Sequence, residues 1–298
     1  MTDTVVGVVG LGIMGSAISA NLLDAGIAVV GYDVVAEKLD ALSARGGRAA
    51  SSARDVAEQA PIVLLSLPSV AALDATIGAE DGLIASRRRG LIVIETSTLP
   101  IADKQRGHDA LGEAGMILLD CPLSGTGAQA ASRDVAVYGS GDKAAYEACV
   151  PVFEGFARAH YYLGGFASGS RMKFVANLLV AIHNVAAAEA FVLGMKAGLD
   201  AETIYRVIAD GAGSSRMFEV RGPMMVAGDY DDATMKLEVW QKDMRIIGDF
   251  AKALDCPTPM FAASARWYAE AMAQGRATQD TAAVCAVLED LAGLKRRT

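Results

Sequence analysis

Lys173 and Asn177 stand four residues apart inside a proline-free stretch from Ser170 to Gly198, and Asn184 follows eleven past the lysine. On a helix these three share one face. Such a face would ordinarily carry apolar groups, so a lysine there calls for a reason. Lysine gives and takes protons, its pKa falls on partial burial, and an asparagine can orient it or a substrate hydroxyl without adding charge. Spacing alone leaves two readings open, proton transfer by Lys173 or a side chain that snorkels to solvent at the helix start.

A second group is Ser124-Gly125-Thr126-Gly127, which follows an apolar run and Asp120-Cys121-Pro122. Small side chains and accessible backbone N–H groups suit a carboxylate, although taken alone the run reads as a plain glycine-rich turn. A third is Gly10-Leu11-Gly12-Ile13-Met14-Gly15, with Asp33 eighteen residues beyond Gly15. Val5 to Val9 before it is β-branched and too short for a helix, and Ala17, Ile18, Ala20, Leu22 and Leu23 after it resume a helical period. The reading is strand, phosphate loop and helix. Gly10 serves the turn, Gly12 the approach of a pyrophosphate, Gly15 the close packing of helix on strand, and Asp33 the adenosine ribose hydroxyls. A carboxylate repels a 2′-phosphate, and Val34, Val35 and Ala36 offer no arginine to receive one, so NAD is favoured over NADP.

These groups need elements to hold them. Short apolar runs at Ile62–Leu67, Leu91–Ile94, Met116–Leu119 and Val135–Tyr138 alternate with helical stretches. They predict an α/β Rossmann domain with a mostly parallel sheet over residues 1–163. Beyond it only helical segments follow, which predicts an all-α domain over 164–298, the two joined by the long helix. The carboxyl ends of the strands, where ligands of such sheets bind, carry Leu67-Pro68-Ser69, Glu95-Thr96-Ser97-Thr98 and the Asp120–Gly127 turn.

At 298 residues, the chain can bury two cores, and 27 basic against 35 acidic residues give a net charge of −8. An acidic chain without a basic block argues against a nucleic-acid partner. No signal segment is read at the start, and the longest apolar candidate for a membrane span, Phe174 to Met195, is interrupted by Asn177, His183, Asn184 and Glu189. A cytoplasmic protein is expected. Cys121, Cys149, Cys256 and Cys285 lie far apart among only 3 histidines, so no metal site and no disulfide framework is expected.

Taken in order, the glycine loop, Asp120-x-Pro122-x-Ser124-Gly125, Gly169-x-x-x-Lys173-x-x-x-Asn177, Lys242-Asp243-Met244 and Asp280-Thr281-Ala282-Ala283-Val284 resemble the β-hydroxyacid dehydrogenase family. The resemblance spans almost the whole chain. It implies a homodimer or homotetramer acting on a small carboxylate-bearing hydroxyacid or semialdehyde. It implies Lys173 as general acid/base, Ser124, Gly125, Thr126 and Asn177 as substrate contacts, and Leu67, Pro68, Ser97, Thr98 and Lys242 around the cofactor. Three positions depart from the family's usual pattern: Ala176 stands where a first asparagine is common, Thr126 where a second glycine is common, and Asp33 where NADP-using relatives carry Asn-Arg. Other readings are an NADPH-preferring glyoxylate or succinic semialdehyde reductase, a non-catalytic dinucleotide-binding scaffold, and a redox sensor acting through Cys121.

Overall fold

The structure, a computed structural model, describes residues 5–296, and two compact units divide the chain between Lys173 and Phe174. In the first unit the order is β1 (Val5–Val9), α1 (Ile13–Asp24), β2 (Ala28–Tyr32), α2 (Ala36–Ala44), β3 (Arg48–Ala49), α3 (Ala53–Gln59), β4 (Ile62–Leu65), α4 (Val70–Gly78), β5 (Ile92–Glu95), α5 (Ile101–Glu113) and β6 (Ile117–Asp120). The six strands form one sheet in the order β3-β2-β1-β4-β5-β6, and every pairing is parallel. This is the Rossmann arrangement, with its switch point between β1 and β4. Successive residues of a strand alternate between two cores: Ile62 and Leu64 enter one, Val63 and Leu65 the other. Burial on both faces is why these strands read as continuous apolar runs.

The chain then leaves the sheet. β7 (Leu123–Ser124), α6 (Gly127–Ala131), β8 (Ala136–Gly139), α7 (Lys143–Phe156) and β9 (Ala159–Tyr162) follow. β7 pairs antiparallel with β8, and β8 parallel with β9, in a separate three-stranded sheet. The Val135–Tyr138 run is therefore a strand, but of this small sheet rather than of the Rossmann sheet. Pro122 turns the chain after β6, and its carbonyl accepts from Tyr138 N at 3.0 Å, which ties the turn to β8.

Helix α8 runs from Ser168 to Lys196 without interruption over 29 residues. Its first turns belong to the first unit because that unit satisfies their backbone donors: Gly169 N donates to Ser140 Oγ at 2.9 Å and Ser170 N to Asp120 Oδ2 at 2.7 Å. The two compact units accordingly meet inside the helix. One 18-residue window of α8 has mean hydropathy 1.8, long and apolar enough to cross a membrane by length and composition. That differs from the sequence expectation, because the Leu, Val, Ile and Phe residues of the stretch outweigh its few polar ones. One of them, Asn184, is held by protein: its Nδ2 donates to Thr281 O at 2.8 Å and to Tyr268 Oη at 3.1 Å.

The second unit continues with α9 (Ala201–Ala209), α10 (Arg216–Ala227), α11 (Leu237–Ala253), α12 (Pro259–Ala273) and α13 (Val284–Leu291). The aromatic rings of Phe191 and Phe218 stack at 5.3 Å, joining α8 to α10. Buried Asp280 gathers the loops: it accepts from Arg221 Nε at 2.9 Å, Thr234 N and Oγ1 at 2.8 Å, Met235 N at 3.0 Å and Ala282 N at 2.9 Å. Burial pushes its carboxyl pKa up, but Arg221 and the backbone donors prevail and hold it below the usual carboxylate range.

Candidate active site

The glycine loop joins β1 to α1 as the spacing predicts. Gly10 takes φ +90°, and a Cβ there would collide with the Ser66 carbonyl. A Cβ on Gly15 would collide with the Gly10 carbonyl, so α1 can enter this close to the loop only with glycine at that position. Gly12 differs. Its φ of −64° suits any residue, and a Cβ built on it meets nothing within 4 Å. Neither backbone strain nor packing requires glycine there. It stands at the start of α1, which has no side-chain cap and no acidic residue in its first turn. A bare helix N-terminus beside open space fits a pyrophosphate.

Asp33, at the end of β2, holds this loop. Leu11 N donates to its Oδ2 at 2.6 Å and Val35 N to its Oδ1 at 2.9 Å. A carboxylate oxygen has a second lone pair, so both oxygens can still receive ribose hydroxyls. Ile13 is exposed and Met14 half-buried beyond the loop. Across the switch point, Leu67 N donates to Ser97 Oγ at 2.8 Å, and Ser97 N to Glu95 Oε1 at 2.8 Å. Leu67, Ser97 and the glycine loop thus gather at the carboxyl ends of β1, β4 and β5, with exposed Pro68 and half-buried Thr98 beside them.

The Ser124–Gly127 turn lies against the same loop, since a Cβ on Gly127 would collide with Ile13 Cγ2. Ser124 ends β7, and Gly125 takes φ +140°, a conformation other residues avoid. Thr126 caps α6 in a capping box: its N donates to Gln129 Oε1 at 3.0 Å, and its Oγ1 accepts from Gln129 N at 3.4 Å. Both polar groups of Thr126 are therefore engaged within the turn.

Lys173 is half-buried in the second turn of α8, and Arg171 is exposed. Gly169, four residues earlier, is forced by close approach, because a Cβ there would run into the carbonyls of Tyr138 and Asp120. In the second unit, Asn177 Nδ2 donates to Asp243 Oδ2 at 2.9 Å, while Lys242 Nζ lies 3.3 Å from Asp243 Oδ1. One carboxylate thus joins Asn177 and Lys242, two of the residues singled out by motif.

Sequence reasoning overlooked Lys104. It lies on α5 with a side chain of zero exposure, 2.5 Å from Glu95 Oε2 and 2.8 Å from Asp120 Oδ1. Burial pulls its pKa down, but the two carboxylates outweigh burial and hold the amine above its usual value. Cys121, next to Asp120, is fully buried, and burial pushes its thiol well above the ordinary range. A thiol held protonated and out of reach of solvent is a poor nucleophile, which weighs against a redox sensor.

Comparison with known proteins agrees with this architecture. Residues 5–164 match the family model of the NAD-binding domain of 6-phosphogluconate dehydrogenase, and residues 167–288 match that described as NAD-binding of NADP-dependent 3-hydroxyisobutyrate dehydrogenase. L-threonate dehydrogenase of Haemophilus influenzae is 33% identical over 94% of this chain and 93% of its own length. NAD-dependent L-serine dehydrogenase of Pseudomonas aeruginosa is 31% identical over 93% of this chain and 95% of its own. The crystal structure of 3-hydroxyisobutyrate dehydrogenase from Salmonella typhimurium superposes with a TM-score of 0.86 at 32% identity, covering 96% of this chain and 100% of that one. With the glycine loop, the Rossmann strand order and the lysine-bearing helix in place, the chain belongs to the β-hydroxyacid dehydrogenase family, NAD(P)-dependent oxidoreductases that act on the hydroxyl groups of hydroxyacids.

Proposed function

We propose that this protein is an NAD-dependent dehydrogenase of short β-hydroxyacids, also able to reduce the matching semialdehyde, with Lys173 as its general acid/base. The observation that carries this reading is the Asp120 tether: its carboxylate holds Ser170, three residues before Lys173, at the end of the strand that leads into Ser124. The substrate class draws on the relatives' names. Threonate, serine and 3-hydroxyisobutyrate all carry a carboxylate and a hydroxyl on the β carbon.

When bound, the nicotinamide ring accepts hydride in oxidation and donates it in reduction. The neutral Lys173 amine takes the substrate hydroxyl proton, and its ammonium form returns one to the carbonyl oxygen in reverse. Ser124 Oγ and Gly125 N–H are assigned to the substrate carboxylate, and Thr126, occupied in its cap, presents a methyl group that limits substrate shape. Asn177, whose amide nitrogen is turned to Asp243, offers its carbonyl oxygen to a hydroxyl. Assay of C3 to C5 hydroxyacids with NAD and with NADP tests the assignment. Activity on β-hydroxyacids with NAD is expected, and turnover confined to simple alcohols would overturn it.

The preference for NAD is assigned to Asp33. Asp33→Asn with Val34→Arg is expected to move the ratio of kcat/KM values toward NADP, by removing like-charge repulsion and adding a phosphate partner. Efficiency with both cofactors should also drop, because an amide has one oxygen where the carboxylate serves both Leu11 N and Val35 N. A wild-type enzyme that already prefers NADPH would contradict the role given to Asp33.

A further inference from the structure

We infer that Lys104 is a positioning residue: by pairing with Glu95 and Asp120 in the core, it holds in place the Asp120 carboxylate that fixes the helix turn carrying Lys173. The inference rests on the reading of Lys173 as general acid/base.

Asp120 is fully buried and works as a cap supplied from outside the helix. Its Oδ2 accepts from Ser170 N at 2.7 Å, and its Oδ1 accepts from Ser170 Oγ at 2.7 Å and from Lys104 Nζ at 2.8 Å. Ser140 Oγ, donating to the Asp120 carbonyl at 3.1 Å, in turn accepts from Gly169 N at 2.9 Å. Orphan donors of the α8 N-terminus are thereby met by one negative charge and one hydroxyl, an arrangement that needs the charge to stay in place. Glu95 brings a second carboxylate to the same lysine, at 2.5 Å. Two carboxylates this close in a dry core repel one another, and the lysine between them offsets that repulsion. Lacking Lys104, Asp120 loses the hydrogen bond and the cation that hold it and faces the charge of Glu95, so its grip on Ser170 loosens.

Glu95 also holds Ser97 N at 2.8 Å, and Ser97 Oγ holds Leu67 N. One lysine thus lies between the turn assigned to the cofactor and the helix assigned to proton transfer. The Glu95 contact is local, two residues along the chain, and survives a neutral side chain. The Asp120 contact spans fifty residues and depends on charge. The effect of losing Lys104 is therefore predicted on the helix side.

The test compares Lys104→Met with Glu95→Gln/Lys104→Met. The single change is expected to lower kcat about 10- to 100-fold, since a small misplacement of a reacting group has that effect, with KM and cofactor Kd within about threefold of wild type. The double change leaves one carboxylate and no competitor for its charge, and the amide then at position 95 keeps an oxygen for Ser97 N. Recovery of kcat to within about fivefold of wild type is expected. A folded Lys104→Met enzyme with wild-type kcat, or a double variant as slow as the single, overturns the proposal. Should Lys104→Met not fold, Ser170→Ala removes only the hydroxyl bond to Asp120 and is expected to lower kcat about threefold to tenfold in a folded enzyme with a modestly lower Tm. Unchanged kcat in that variant overturns the proposal as well. Lys173→Ala is measured alongside: wild-type turnover there refutes the reading of Lys173, whereas deep loss there with Lys104→Met unaffected refutes only the positioning role.

Discussion

Lys173→Ala should lower kcat by roughly 10²–10⁴ while the dissociation constant for NAD(H) stays nearly unchanged. The proton of the substrate hydroxyl then has no positioned acceptor. The cofactor contacts assigned to the glycine loop, Asp33, Leu67 and Ser97 lie on other elements and are left intact. Lys173→Arg should not restore turnover, because a guanidinium does not give up its proton near neutral pH. Single-turnover kinetics with cofactor binding followed by fluorescence read both quantities. Wild-type turnover in the alanine variant would refute the role given to Lys173.

Gly12→Val should strongly weaken cofactor binding without unfolding the protein. The Cβ it adds meets no protein atom, so Tm is expected to stay within a few degrees of wild type. The side chain fills the space through which backbone N–H groups would reach a pyrophosphate. Hydrogen bonds to a charged group are worth roughly 1.5–3 kcal/mol each, so losing two weakens binding by about 10²-fold or more. Gly15→Val is the counterpart: its Cβ would strike the Gly10 carbonyl, and stability should fall together with binding. Calorimetric titration and thermal melts separate the two variants. Equal NAD affinity in Gly12→Val and wild type would contradict the placement of the pyrophosphate.

What sequence could say about this protein follows from how local each feature is. Strand, glycine loop, helix and Asp33 lie within one βαβ unit, and their spacing carries the fold and the dinucleotide site together. The long helix was legible from its period and its lack of proline. The sheet membership of Val135–Tyr138 was not, because a strand's own pattern does not name its partners, and β8 pairs with β7 and β9 instead of β6. Lys104 was invisible for a different reason. Its neighbours Asp103, Gln105 and Arg106 are polar and read as a solvated helix face. Its partners Glu95 and Asp120 come from two other strands, and only the folded sheet brings them to it. The capping box formed by Thr126 and Gln129 was legible in principle, since a threonine followed three residues on by a glutamine is itself a sequence pattern.

Substrate recognition by this protein is assigned to a carboxylate anchored at the Ser124–Gly125 turn, since a net charge of −8 offers no general attraction for an anion. The most direct measurement is kcat/KM for NAD reduction with a β-hydroxyacid that the enzyme oxidises and with the methyl ester of that acid. Loss of a charge-assisted hydrogen bond worth roughly 1.5–3 kcal/mol predicts at least about tenfold lower efficiency for the ester. Equal efficiency for acid and ester would contradict the anchor and point to a neutral substrate.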